Sequence, residues 1–394
     1  MSRDVTFDPA PFRARPGMTR LLAALGEEDG HVRFVGGAVR DQLLGLDVAD
    51  IDLATTHSPH EVVERLENAG IKAVPTGIEH GTITAVSSGT VVEVTTLRAD
   101  VSTDGRRATV AFTNDWKEDA ARRDFTINAL YADPLTGEIC DYFGGLDDLA
   151  ALRVRFIGDA GERIDEDHLR ILRFFRFHAR FGTGEPDPAA LAACSAKANS
   201  MMALSRERIA DELLKLLSLP DPSPTIALMV ERGIFAPVLP EIDAAGARRL
   251  AALVWTANEC ALDPHPIRRL AALIPSDPAV AREVAARLKL SKAQRQRLVL
   301  AATTSDEAPR PLAYRRGREE ALDALALADD RAGIAEVKDW DIPVLPIKGG
   351  DLIARGITKG PDVAKTLRAI EEDWIAAGFP DGAEFDALVA SRLA

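Results

Sequence analysis

Two carboxylates and a glycine pair are the residues of this chain whose types and spacing best fit chemistry. Phe34-Val35-Gly36-Gly37-Ala38-Val39-Arg40-Asp41 is followed closely by Asp50-Ile51-Asp52. A Gly pair closing an apolar strand lets the backbone approach a phosphate, and the helix it opens presents unpaired N–H groups to the anion. In an extended segment, residues two apart point to the same face, so Asp50 and Asp52 set two hard oxygen ligands side by side for Mg²⁺. Taken singly, Gly-Gly reads as a tight turn and Asp-x-Asp as a solvated loop or cap. With apolar strands at Val32 to Val35 and Ile51 to Ala54, the two together read as a phosphate cradle joined to a metal site, which is nucleotide chemistry.

Such a site needs rigid elements to hold it. At 394 residues the chain exceeds the size at which one core keeps growing, so two or more domains are expected. Residues 1–18, with Pro9, Pro11, Pro16 and Gly17, read as a loose lead-in. Over 19–152, strand-like runs (Arg33 to Val35, Ile51 to Ala54, Thr82 to Val86, Val91 to Leu97) alternate with helical patterns such as Pro59 to Ala69, giving an α+β head. Beyond it, Ala/Leu/Arg-rich segments of helical spacing continue to the end, broken by Gly and Pro clusters such as Gly182 to Pro188 and Leu219 to Pro224. Residues 153–218 and 219–394 are therefore expected to be all-α.

No run approaches the roughly 18 to 20 apolar residues of a membrane span, and the N-terminus lacks a secretory apolar core, so a soluble, cytoplasmic protein without a membrane partner is expected. Cys140, Cys194 and Cys260 have no metal-ligand spacing and read as reduced, mostly core thiols. The net charge of −13 argues at first against a nucleic-acid partner. Clustering matters more: Arg163, Arg170, Arg173, Arg176 and Arg180 concentrate positive charge in one stretch. An acidic protein with a local basic channel would let its product go, which suits a transferase.

The wording Gly-Gly-Ala-Val-Arg-Asp…Asp-Ile-Asp resembles the signature of the nucleotidyltransferase superfamily, in its class II branch of tRNA CCA-adding enzymes and bacterial poly(A) polymerases. The resemblance implies a polymerase-beta-like palm with a mixed sheet, then a helical neck, body and tail in an elongated molecule. It also implies addition of C, C and A to the tRNA 3′ end from CTP and ATP, with Mg²⁺ held by Asp50 and Asp52 and no protein partner. Arg122-Arg123-Asp124-Phe125-Thr126-Ile127-Asn128-Ala129-Leu130 reads by itself as an amphipathic helix with Asp124 as N-cap. Its match to the family's R-R-D-F-T-I-N-A block implies that Arg123, with Gly36, Gly37 and Arg40, grips the triphosphate, while Asp124 and Asn128 lie near the ribose.

Glu166 to Phe177 reads as one helix on which Asp167, Arg170, Arg173 and Arg176 recur every third residue. Read without context, this is an intrahelical Asp167–Arg170 ion pair with Arg173 and Arg176 tying domains together. The row also resembles the family's E-D-x-x-R template. Cytosine and adenine share an amino donor beside a ring-nitrogen acceptor, so a carboxylate at Asp167 next to a guanidinium at Arg170 would accept C and A and reject U and G. Arg173 and Arg176 would neutralise phosphates or line the pocket.

Glu93, on the strand Val91 to Leu97, is either a third acidic group near the metals or the polar face of a half-buried strand. The stretch Arg98 to Trp116, containing Asp104-Gly105-Arg106-Arg107, resembles the flexible loop of complete CCA-adding enzymes, and Gly144 to Leu149 resembles the hinge between head and neck. Ser205-Arg206-Glu207-Arg208-Ile209-Ala210-Asp211-Glu212 resembles the block that braces the neck. Lys348 and Lys359, in Gly-flanked turns, are candidates for RNA phosphates. The rivals are a poly(A) polymerase or an enzyme adding only A, and a catalytically silent RNA-binding protein on the same scaffold. Pro75 to Thr82 has the form seen in CCA-adding relatives.

Overall fold

A computed structural model of the chain describes residues 6–48, 50–104, 107–357 and 360–393. The chain divides into two compact units, Met1–Leu213 with Glu231–Val238, and Leu214–Val230 with Leu239–Ala394.

The strands are β1 (Val32–Val35), β2 (Asp52–Thr55), β3 (Lys72–Gly77), β4 (Thr82–Ser87), β5 (Thr90–Thr96), β6 (Arg98–Asp104), β7 (Arg107–Phe112), β8 (Leu130–Ala132) and β9 (Ile139–Asp141). Seven of them form a mixed sheet in the order β3-β4-β5-β2-β1-β8-β9. β2 and β5 are parallel, with Asp52 opposite Glu93, while β1 runs antiparallel to both β2 and β8. The central strands read as apolar runs because they are covered on both faces: Val32, Phe34, Val35, Leu53 and Ala54 are all buried.

Around this sheet lie α1 (Ala10–Arg13), α2 (Met18–Ala24), α3 (Gly37–Leu43) and α4 (Pro59–Asn68), the last started by a Ser58/Glu61 capping box. The Pro-rich start is not loose. Phe7 and Phe12 are buried, stacked at 5.1 Å, and both rest on Phe34 of β1. Two aromatic side chains outweigh the prolines around them.

Two further expectations are corrected. The stretch Arg98 to Trp116, read as a loop without secondary structure of its own, contains a hairpin, β6 with β7, although Gly105 and Arg106 lie outside the described residues. The block after α5 (Trp116–Ala121) is not a helix: a single 3₁₀ turn at Thr126–Asn128 leads into β8, because β1 pairs with that segment, Phe34 opposite Ala132. Non-local pairing overrides the helical pattern.

The glycine turn expected to be a hinge is the pinned start of α6 (Gly145–Ala150). A Cβ on Gly145 would lie 2.3 Å from the Thr126 carbonyl, and Asp141 accepts from the N–H groups of Gly145 and Leu146, each at 2.9 Å. Then come α7 (Ala160–Glu166), α8 (Arg170–Phe181), α9 (Pro188–Ala196) and α10 (Arg206–Leu217). Phe174 and Phe177 seat α8 against Phe125 and Phe156, with ring centroids 5.1 Å (Phe125–Phe177) and 5.7 Å (Phe156–Phe174) apart. That cluster carries α8 up to Asp124, the neighbour of Phe125.

From Ser223 onward the described chain is helical, α11 (Ser223–Glu231) to α21 (Gly382–Leu393). In the second unit, Asp323 is buried and paired with both Arg268 and Arg297, each at 2.6 Å, and Trp374 centres an apolar cluster with Ile370, Phe385 and Val389. No helix among the described residues is long and apolar enough to cross a membrane.

Candidate active site

Gly36 has φ +65° and ψ −119°, a conformation that only glycine adopts readily. A Cβ there would sit 3.3 Å from Nη1 of Arg123. The bare backbone at Gly36 therefore faces the guanidinium of Arg123, while Gly37 opens α3. Arg123 is held from behind. Its Nε donates to the Tyr131 hydroxyl at 3.1 Å and its Nη2 to Asp119 at 3.2 Å, while Nη1 makes only a long 3.5 Å contact with the Asn128 carbonyl.

Asp119, 1% exposed, also pairs with Arg122 at 2.7 Å and accepts from the Tyr131 hydroxyl at 2.6 Å. Burial works against its charge, but Arg123 and Arg122, with the Tyr131 hydroxyl and the Arg98 N–H, outweigh it and hold the carboxyl at about 2. Burial likewise opposes the charge on Arg123, and Tyr131 and Asp119 reverse that and raise its pKa. The result is a fixed guanidinium with one nitrogen turned to the glycine cradle.

On the other side stand the acids. Asp52 opens β2, Asp50 is exposed just before it, and Glu93 is exposed on β5 opposite Asp52. Burial raises the Asp52 pKa, as do Glu93 and Asp50, with Arg123 opposing. Among the described residues no three acidic or histidine side chains close on a common point, and Asp50, Asp52 and Glu93 take part in none of the ion pairs. An all-oxygen group in which Glu93 and Asp50 hinder the ionisation of Asp52 has the chemistry of a divalent-cation site.

Arg40, expected to grip phosphate, is placed otherwise. It is 5% exposed, its Nε donates to Asp41 at 2.7 Å, its Nη1 to the Asn128 side chain, and its guanidinium lies over Phe177 and Phe181. Burial lowers its pKa, with Asp41 opposing. Asn128 in turn donates to Asp124 at 3.0 Å. Asp124 is buried; it also accepts from the Phe125 N–H at 2.8 Å and from Arg173 Nε at 2.8 Å. Burial opposes its charge, but Arg173 and Asn128 outweigh that and hold its pKa low.

The expected single helix from Glu166 to Phe177 is broken. Asp167 sits between α7 and α8 in extended conformation, φ −152° and ψ 105°, where its side chain accepts from the Leu169 N–H at 3.1 Å. A short carboxylate that bonds a nearby N–H competes with the helix for it. Arg170 pairs with Glu166 and donates to the carbonyls of Arg163 (2.8 Å) and Arg122 (3.2 Å), while Asp167 pairs with Arg208 at 2.7 Å. The Asp167–Arg170 ion pair is therefore absent. Arg163 joins this layer to the head by donating to the carbonyls of Arg122 and Arg123 at 2.5 and 2.6 Å. The arginine row is a neutralised network rather than a bare basic strip: Arg163 and Arg170 meet Glu166, Arg173 meets Asp124, Arg176 meets Glu212 and Arg180 meets Asp41. Lys348 is exposed at the start of α19 (Gly349–Ala354), in the second unit, and Lys359 lies outside the described residues.

Two family models match the chain, the poly A polymerase head domain over residues 32–155 and the probable RNA and SrmB-binding site of polymerase A over 185–245. The mitochondrial CCA tRNA nucleotidyltransferase 1 of Mus musculus is 35% identical over 92% of this chain and 87% of its own length. The chain belongs to the CCA tRNA nucleotidyltransferase family. The CCA-adding enzyme of Limosilactobacillus fermentum is 34% identical, with 92% of each chain covered. Among solved structures, the Bacillus stearothermophilus CCA-adding enzyme in complex with CTP superposes with a TM-score of 0.74 at 27% identity, covering 96% of this chain and 98% of that one.

Within this CCA tRNA nucleotidyltransferase fold, two residues of the site escaped the sequence reading, Asp119 and Tyr131, while Arg163 reads there only as part of the basic stretch and Arg208 and Glu212 only as part of the neck-bracing block. Asp119 had a signal, since it precedes Arg122 and Arg123 by the three and four residues at which helical ion pairs form. Tyr131 had none, because its partners come together only through the sheet.

Proposed function

We propose that this protein completes the 3′ end of tRNA with C, C and A, taking CTP and ATP and releasing pyrophosphate. The observation that carries the reading is the placement of Asp52 opposite Glu93 beside a glycine cradle that faces Arg123, in a chain similar along nearly its whole length to CCA-adding enzymes. The RNA 3′-oxygen would form a bond to the α-phosphorus as the bond to pyrophosphate breaks. Asp50 and Asp52 would hold Mg²⁺, with Glu93 beside them, and the bound ion supplies charge neutralisation at the reacting phosphate and a more acidic 3′-OH. Arg123 would bind the triphosphate through the nitrogen turned to Gly36, with Gly37 opening α3 beside it. Arg40 acts one step back, by orienting Asn128. Because Phe125, Asn128 and Arg173 already occupy Asp124, the ribose 2′-OH would share that carboxylate with Arg173. Asp167 would accept the amino hydrogen of C or A and Arg170 would donate to the ring nitrogen, with Arg170 exchanging its Glu166 contact for the base. Arg176 would line the pocket. Lys348 and Lys359 would meet RNA phosphates. A cytoplasmic location belongs to the same reading and is checked by fractionating cells that express the tagged chain.

The test is incubation with tRNA ending at the discriminator base, with CTP and ATP supplied separately and together, followed by sequencing of the products. The expected products are CC with CTP alone and CCA with both. Long A tracts from ATP alone would favour poly(A) addition instead, the second reading, which the description of the matched head domain supports. No extension under any condition would overturn both.

A further inference from the structure

The helix α10, whose block reads as a plain brace, meets the Asp167 carboxylate of the nucleotide pocket directly and the Asp124 carboxylate through Arg173. Arg208 and Glu212 stand four residues apart on it and so share a face. Arg208 Nη2 donates to Asp167 Oδ2 at 2.7 Å, and the Leu169 N–H holds Oδ1 at 3.1 Å, so the Asp167 carboxylate is fixed at both oxygens. Glu212, 4% exposed, accepts from Arg176 Nε at 2.6 Å and lies 3.7 Å from Arg173, whose Nε donates to Asp124 at 2.8 Å.

We infer that Arg208 and Glu212 are positioning residues for nucleotide choice, Arg208 acting on the base through Asp167 and Glu212 acting on the sugar through Arg173 and Asp124. The inference rests on the pocket reading above. Burial separates the two roles from simple bracing. The Arg208–Asp167 pair is 49% and 32% exposed, and an exposed pair contributes little to stability. A role in holding the fold would therefore leave Arg208 nearly silent. A carboxylate that must meet one amino group at hydrogen-bond distance is sensitive to its own tilt, since such bonds weaken steeply off line. Glu212 is buried, and among the described residues its loss leaves Arg173 with Asp124 as its one ion-pair partner.

The experiment measures kcat/KM of the full chain on tRNA lacking CCA for CTP, UTP and dCTP, with a thermal melt of each variant. In Arg208→Ala the UTP-to-CTP ratio is expected to rise about tenfold, with the dCTP-to-CTP ratio within about twofold of wild type and an unchanged melt. Arg208→Lys should recover part of the base discrimination. Glu212→Gln should give the crossed pattern: a higher dCTP-to-CTP ratio and an unaltered UTP-to-CTP ratio. A uniform fall for all nucleotides tracking a lowered melt, or unchanged ratios in both variants, would overturn the inference. Asp167→Ala distinguishes the levels. If it relaxes base choice while Arg208→Ala does not, the pocket reading stands and this inference fails. If it leaves base choice intact, both fail. If the wild-type chain extends no tRNA, the function itself is wrong.

Discussion

The acidic face and the arginine layer treat charge in opposite ways. Asp50, Asp52 and Glu93 have no ion-pair partners among the described residues, and Asp52 is made harder to ionise by its own burial and by its two acidic neighbours. In the neck row every guanidinium has an anionic partner, and the buried acids Asp119 and Asp124 are held in their ionised form. The first arrangement is one that a bound cation would relieve; the second is complete in advance. On the proposed reading, chemistry lies where charge is unbalanced, and recognition where it is balanced and rigid.

The largest test of this contrast removes the acids. Asp52→Asn or Asp50→Asn should lower CMP incorporation on the order of 10³-fold. The melting temperature measured without divalent cation should be unchanged or raised, since mutual repulsion is relieved. Retained activity would break the assignment of the cation site.

Asp119→Asn probes the balanced side. The carboxyl is held at about 2 against an ordinary value of 3.8, a depressed pKa, so its contribution to stability is complete above 3.8 and is lost as pH falls toward 2. That contribution is about 2 kcal/mol. Chemical denaturation should show the variant less stable by about that amount at pH 7, with the gap closing between pH 4 and 2. A gap independent of pH would mean that shape rather than charge is at stake.

Smaller effects follow. Asp124→Asn keeps the Phe125 N–H bond but weakens the hold on Arg173, and should narrow the preference for CTP over dCTP by about tenfold, one hydrogen bond's worth. An unchanged ratio would make Asp124 a turn-forming residue only. The least effect is expected from Lys348→Ala, a two- to threefold rise in the KM for tRNA that disappears at high salt, as phosphate contacts require.

Much of this division could be read from residue types. Gly36, Asp50 and Asp52 carry their chemistry in themselves, and the apolar runs at β1, β2, β4 and β5 and the helical texture of the second half needed no partner to be recognised. What depended on distant partners was hidden. The segment at Leu130–Ala132 became a strand because β1 offered an edge, and Arg40 was buried by Phe177 and Phe181, far along the chain. The break at Asp167 was hidden for a local reason, since one side-chain bond to the Leu169 N–H decided against a helix that the spacing favoured.

The parallel pairing of β2 with β5 determines how this protein can vary. Between Asp52 and its opposite number Glu93 the chain passes through α4, β3 and β4, so loops there can lengthen or shorten without moving either acid. The strand itself has no such freedom. Adding or deleting a single residue in β5 ahead of Glu93 would bring Val92 or Val94 opposite Asp52 and exchange the two faces of the strand. Lineages could therefore remodel the turns between these strands widely, while the short path from the β5 turn to Glu93 keeps one length.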